Sequence, residues 1–172
     1  MRYRSESKQA DLADNRTALN SLSAIAKQNW RIHINTKLSA DYILRGRTEL
    51  SWYNKNSDQV ERGYLAYLEL LYKPLMKPYN GSARIEYFES DGYDARIYAY
   101  ESDVAYNYSV PAVYGKGNRY YINISIDVNK RISIWCRWLQ TIYKSATSIG
   151  SGFEKIPGNK LSELKIQTRI IF

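Results

Sequence analysis

Apolar and polar residues alternate with a period of two in stretch after stretch of this sequence. Trp30, Ile32 and Ile34, for example, alternate with Arg31 and His33. Successive side chains of a β-strand point to opposite faces, so this pattern predicts half-buried strands. It recurs at residues 42–52, 63–73, 83–87, 95–100, 119–128, 132–138 and 163–172. We therefore predict an all-β fold, an antiparallel meander of about eight or nine strands.

Turn-forming residues separate these stretches at 54–58, 78–81, 90–92, 115–118, 128–130 and 150–152. With 172 residues, the chain has room for one domain, which we predict to span residues 1–172. Residues 7–28 are predicted as a helical or loop insertion after an initial strand at 1–6, because Leu19, Leu22 and Ile25 share one helical face. Residues 104–110 alternate out of phase, which indicates a bulge or a separate strand.

The polar positions of the predicted strands carry both signs of charge, with arginine dominant. In a soluble barrel these residues would face water, whereas in a membrane barrel they would line the lumen while the apolar ones meet lipid. Interlaced ion pairs fill the lumens of small or plugged barrels, which favours the membrane interpretation. The predicted lumen-facing residues are Arg31, His33, Arg45, Arg47, Glu49, Glu69, Arg84, Glu86, Arg96, Arg119, Asp127, Arg137, Glu163, Lys165 and Arg169.

Aromatic residues mark the ends of the apolar stripes. Tyr42 and Trp52 lie ten residues apart on one face, which is about 33 Å along a strand. A tilt of about 40° projects this to about 25 Å, the height of the apolar band of a membrane barrel between its aromatic girdles. The predicted lipid-facing and girdle residues are Trp30, Tyr42, Trp52, Tyr64, Tyr72, Tyr120, Trp138 and Phe172.

Several stretches resemble the C-terminal barrel region of helix-hairpin-helix-containing outer-membrane proteins of Gram-negative bacteria. They are residues 44–49, 84–94, 96–104 and 149–153, and Phe172 on the last alternating stretch resembles the C-terminal signature of outer-membrane barrels. The resemblance implies the last part of a larger barrel, with the helix-hairpin-helix segment upstream. The implied location is the bacterial outer membrane, and the implied partners are outer-membrane lipid or lipopolysaccharide, other envelope subunits or the remainder of the barrel. Together with the alternation, it implies a pore, a receptor or a scaffold that acts in passage, anchoring or assembly of an envelope complex.

The sequence offers little for catalysis or metal binding. It has one histidine, His33, and one cysteine, Cys136, whereas zinc sites use three or four such ligands. The pair Glu163 and Lys165 matches half of a restriction-type nuclease motif, but both positions follow the alternation of the other charged residues, so ion-pair lining explains them better. We expect no catalysis, no cofactor and no metal.

A soluble nucleic-acid-binding module is the alternative. The net charge is +8, and residues 139–166, with Gly150-Ser151-Gly152, resemble the end of a target-recognition domain from restriction-modification specificity subunits. Such a module concentrates its cations on one patch, whereas the arginines here are spaced along every predicted strand. We therefore do not expect nucleic acid as a partner.

Overall fold

The computed structural model describes residues 1–11, 22–54, 60–150 and 152–172, without the side chains of 8–11 and 22–25. Within these residues there are twelve strands and one 3-10 helix, at Gly152–Glu154. The strands are β1 (Arg2–Asp11), β2 (Leu22–Lys37), β3 (Tyr42–Tyr53), β4 (Glu61–Tyr72), β5 (Tyr79–Ser90), β6 (Ile97–Tyr98), β7 (Ala112–Val113), β8 (Lys116–Asp127), β9 (Ile132–Tyr143), β10 (Ser148–Ile149), β11 (Ile156–Pro157) and β12 (Lys160–Ile170). No described helix is long and apolar enough to cross a membrane.

The eight long strands form one antiparallel sheet in the order β1-β2-β3-β4-β5-β8-β9-β12. The predicted all-β antiparallel meander is confirmed. The sheet is open, because β1 and β12 are its two edges and each pairs with a single neighbour within the described residues. Closure into a barrel is therefore not part of the observed architecture.

The predicted insertion at residues 7–28 is wrong at both of its ends. The pairing of β1 with β2 runs without interruption from Arg2 opposite Arg31 to Asp11 opposite Leu22. A continuous ladder pairs the backbone groups of both strands, and this tertiary pairing overrides the helical spacing that the sequence shows around Leu22. Residues 12–21, the centre of the predicted insertion, lie outside the described part of the chain.

Short and long connections are sorted to opposite ends of the sheet. Residues 38–41, 73–78 and 128–131 make short turns at one end, which we call the short-turn end. In the last of these turns, Asn129 Oδ1 accepts hydrogen bonds from the backbone N–H groups of Arg131 and Ile132, at 2.8 and 2.9 Å. The connections through 12–21, 54–60, 91–115 and 144–159 all join strands at the other end.

The connection through residues 91–115, here the covering segment, packs against one face of the sheet. The predicted strand at 95–100 is reduced to the two residues of β6, which pairs with β7, and residues 104–110 contribute only an isolated bridge between Glu101 and Ser109. The alternation at 95–101 has a different cause from that in the sheet. Ala95, Ile97 and Ala99 are buried while the residues between them are more exposed, because one side of the segment contacts the sheet.

A small apolar core joins the covering segment to the sheet. Its members are Leu65 and Tyr67 of β4, Phe88 of β5, and Ile97, Ala99 and Val113 of the covering segment, with Tyr143 of β9 packed against them. The close approach depends on Gly63 of β4, because a Cβ at this position would lie 2.2 Å from the carbonyl oxygen of Ala95. The sequence therefore builds its core on the face that also carries the charges.

Candidate functional site

The two faces of the sheet have opposite chemistry, and the charged face is the buried one. Leu68, Ile85, Ile124 and Ile166 on the uncovered face, here the apolar face, are 57%, 54%, 46% and 68% exposed. The face under the covering segment, here the polar face, buries many charged side chains. These are Arg47, Glu49, Glu69, Arg84, Glu86 and Arg137, joined by Glu101 of the covering segment. A water-soluble sheet protein normally shows the reverse arrangement.

Glu49 of β3 is the centre of the first charged cluster on the polar face. Arg31 of β2 donates to its two carboxylate oxygens from Nε and Nη2, at 2.7 and 3.2 Å. Arg47 of β3 donates from Nε at 2.8 Å. Arg47 Nη2 also donates to the carbonyl oxygen of Tyr98 at 2.9 Å, so this cluster holds part of the covering segment.

Glu69 of β4 is the centre of the second cluster. Its carboxylate accepts hydrogen bonds from Arg84 Nη2 of β5 at 3.2 Å and from Ser102 Oγ of the covering segment at 2.9 Å. The hydroxyl of Tyr121 donates to it as well. Arg45 Nη1 lies farther away, 3.9 Å from Glu69 Oε2. Glu69 is therefore fully engaged at the middle of the sheet.

The third cluster is built on two carboxylates of the covering segment, Glu101 and Asp103. Arg119 of β8 donates to Glu101 from Nε and Nη2, at 2.6 and 3.0 Å, and Arg137 of β9 donates to it from Nη2. Asp103 accepts from Arg137 Nη1 at 3.2 Å and from Lys165 Nζ of β12 at 3.1 Å. These ion pairs connect the covering segment to β8, β9 and β12.

Arg84 and Glu86 of β5 lie under the covering segment with few hydrogen-bonding partners. Arg84 Nη1 is 3.6 Å from Glu86 Oε2, and the guanidinium of Arg84 lies 3.8 Å from the ring centroid of Tyr67. Neither carboxylate oxygen of Glu86 accepts a hydrogen bond within the described residues. Ring and charge contacts therefore compensate part of the cost of burying this pair.

Fourteen of the predicted lumen-facing residues lie on the polar face, and one has another position. Asp127, opposite Ser133, and His33, opposite Arg47, are exposed positions of this face. Arg96 lies in the covering segment, where its guanidinium is 4.0 Å from the ring centroid of Tyr93. The fourteen are Arg31, His33, Arg45, Arg47, Glu49, Glu69, Arg84, Glu86, Arg119, Asp127, Arg137, Glu163, Lys165 and Arg169.

Tyrosine rings form a row near each end of the apolar face. At the short-turn end, Tyr72 lies 5.0 Å from Tyr42 and 5.9 Å from Tyr79 between ring centroids. At the other end Tyr64 lies 6.1 Å from Tyr87. Trp30, Trp52 and Tyr120 are partly buried on the same face, Trp138 is 40% exposed, and Phe172 lies beyond the end of β12. The rows bracket a band of exposed aliphatic side chains.

The sequence did not reveal the role of the covering segment. Glu101, Ser102 and Asp103 of the covering segment form hydrogen bonds to the sheet. Their partners in the sheet include Tyr121 and Asn123 of β8. One signal was available in the sequence. The alternation changes phase after residue 100, where two carboxylates flank a serine in a stretch otherwise poor in charge.

Among the described residues no group of three or more His, Cys, Asp or Glu side chains is placed to hold a metal ion. No known protein family, curated protein or solved structure matches the chain.

Proposed function

We propose that this chain forms part of the wall of a transmembrane β-barrel in a bacterial outer membrane. One observation carries the proposal: the sheet exposes aliphatic side chains on one face and buries arginine–carboxylate pairs on the other. Burying exposed aliphatic surface against lipid is favourable by about 25 cal/mol per Å². The polar face then becomes the lumen side of the wall, where the covering segment lies.

The dimensions of the apolar face support the same proposal. Tyr64 and Tyr72 lie on one face of β4, one in each tyrosine row. Their eight-residue separation corresponds to about 26 Å along a strand, and a strand tilt of about 40° projects this to about 20 Å. The apolar band of outer-membrane barrels is about 25 Å tall and is flanked by aromatic girdles. The two rows therefore bracket a band somewhat shorter than the full apolar band of such a barrel.

The separation of short and long connections to opposite ends of the sheet predicts the orientation of the proposed wall in the membrane. Outer-membrane barrels have short periplasmic turns and longer extracellular loops. The short-turn end would therefore face the periplasm, and the covering segment would enter the lumen from the extracellular end. Such a wall suits passage of polar solutes through a partly filled lumen, or anchoring and assembly of an envelope complex.

A closed barrel requires partners for the two edges of the sheet, β1 and β12. The proposal is that they pair with each other or with strands from the remainder of a larger barrel, since an open edge leaves backbone groups unpaired in lipid. The arginines that a nucleic-acid module would use for phosphates are paired with carboxylates on the polar face. The soluble alternative is therefore not what we propose.

Electrophoresis after refolding into detergent tests the proposal. A membrane barrel should stay dispersed only with detergent or lipid, and its unheated form should migrate differently from its boiled form. A chain that remains monodisperse in plain buffer, with a single mobility before and after boiling, would rule the proposal out.

A further inference from the structure

A polar cavity of about 340 Å³ lies between the covering segment and the short-turn end of the polar face. Strands β3, β4, β5, β8 and β9 form its wall, and the covering segment closes one side of it. Its lining combines cations, amides and hydroxyls with two aromatic rings. Among the lining residues are Arg45, Lys73, Ser82, Tyr100, Asn123 and Trp135.

Two cations in the lining have binding capacity to spare. Arg45 Nη1 is 3.9 Å from Glu69 Oε2, and within the described residues the Arg45 guanidinium donates no hydrogen bond. The Glu69 carboxylate already accepts hydrogen bonds from Arg84, Ser102 and Tyr121. The ammonium group of Lys73 has neither an ion pair nor a hydrogen bond there, and the residue is exposed. A carboxylate or a phosphate is the group that two such cations bind best.

Asp103 also lines the cavity, but it does not cancel this positive charge. Its carboxylate is held by Arg137 Nη1 at 3.2 Å and by Lys165 Nζ at 3.1 Å. The acidic group nearest to Arg45, Glu69, is likewise paired, with Arg84. The cavity is therefore cationic on balance.

A second observation indicates a ligand with hydroxyl groups. Asn123 is only 9% exposed and donates from Nδ2 to the carbonyl oxygen of Asp103 at 2.9 Å. Its Oδ1 accepts no hydrogen bond within the described residues. A buried acceptor without a donor is costly, and a ligand hydroxyl would satisfy it once the Asn123 amide turns toward the cavity. Tyr100 and Trp135 offer ring surfaces against which a sugar ring can pack.

We propose that this cavity binds a small hydroxylated anion, such as a sugar acid or a sugar phosphate. Arg45 and Lys73 hold its carboxylate or phosphate, and Asn123 Oδ1 accepts a hydrogen bond from one of its hydroxyls. This inference rests on the proposed function, because the cavity opens on what would be the periplasmic side of the lumen. It names the class of solute that the passage would select.

Calorimetric titration of the detergent-solubilised full chain tests the site with three probes: glucuronate, glucose 6-phosphate and glucose. At low ionic strength both anions should bind. The dissociation constant of glucose should be about tenfold or more above that of the tighter-binding anion, because each charge-assisted contact contributes roughly a factor of ten. The stronger of the two anions identifies the group that the site prefers. Equal binding of glucose, or no binding of either anion, would overturn the inference.

Variants assign the binding to this cavity. Lys73→Gln and Arg45→Gln should each weaken anion binding by about tenfold. Lys130→Gln, which removes an exposed lysine from a turn at the same end of the sheet, should leave it unchanged. Unchanged binding by Lys73→Gln contradicts the inference. Because the Lys73 ammonium group has no partner to lose in the described part of the chain, this variant should fold even if Arg45→Gln does not. Heat-modifiable mobility without anion binding would reject the site and leave the barrel intact.

Discussion

Glu101 of the covering segment and Arg137 of β9, 36 residues apart in the sequence, form an ion pair that is almost wholly buried. Their side chains are 1% and 2% exposed. Removing one partner of a buried pair leaves the other charge without compensation, which typically costs about 3–5 kcal/mol. This single contact therefore couples the position of the covering segment to the stability of the sheet.

Glu101→Gln should lower the free energy of unfolding by about 3–5 kcal/mol, because Arg119 and Arg137 both lose their shared carboxylate. Urea unfolding in lipid vesicles or detergent, followed by tryptophan fluorescence, measures it. The matched control is Glu163→Gln, where a half-exposed carboxylate also contacts Arg137, at 3.6 Å, and the expected loss is at most about 1 kcal/mol. Equal losses would mean that the covering segment does not seal the polar face.

The cluster at Glu69 predicts an uneven coupling with its two arginines. Arg84 donates to Glu69 at 3.2 Å, whereas Arg45 lies 3.9 Å away and is more exposed. Double-mutant cycles that combine Glu69→Ala with Arg84→Gln and with Arg45→Gln should give the larger coupling energy for Arg84. Strict additivity in both cycles would show that neither pair forms in the folded protein.

Gly63→Ala should displace the covering segment. The added Cβ would meet the carbonyl oxygen of Ala95 at 2.2 Å, and a backbone atom of a packed segment cannot give way locally. Hydrogen exchange of residues 93–114 should accelerate. Gly46→Ala is the control, since its nearest neighbour is the flexible side chain of Leu68 at 3.3 Å. Unchanged exchange in Gly63→Ala would contradict the observed packing.

The apolar face should not tolerate charge at its middle. Ile166→Arg should cost about 2–4 kcal/mol if that side chain meets the bilayer core. Gln167→Arg, one position along β12 and on the polar face, should cost clearly less. Unfolding measured in lipid vesicles compares the two, and similar losses would remove the membrane interpretation.

The strands of the sheet were largely predictable because their period is two and their polarity is strict. The register of β3 against β4 could also be predicted. Positions equidistant from a hairpin centre face each other, so a centre near residues 57–59 places Glu69 opposite Arg47 or its neighbour. The observed partner is Arg45. Local pattern and turn position therefore predict the face of each residue and the approximate register, but not the exact partner.

The covering segment could not be predicted in the same way. Residues 95–101 alternate like a wall strand, yet they contact the polar face through Ala95, Ile97 and Ala99. Alternation reports that one side of a stretch is buried, but not which surface buries it. The cationic partners of Glu101 and Asp103 are 18 or more residues away, and no local pattern encodes such contacts.

Quenching of single tryptophans by brominated lipid tests most directly whether the apolar face meets the bilayer. Trp138 and Trp135 lie three residues apart on β9, on the apolar face and on the polar face respectively. Two variants, each retaining one of these tryptophans with the other three replaced by phenylalanine, would be refolded into vesicles of brominated phosphatidylcholine. We expect strong quenching of Trp138 and weak quenching of Trp135; equal quenching of both, or none of Trp138, would contradict a membrane-spanning sheet.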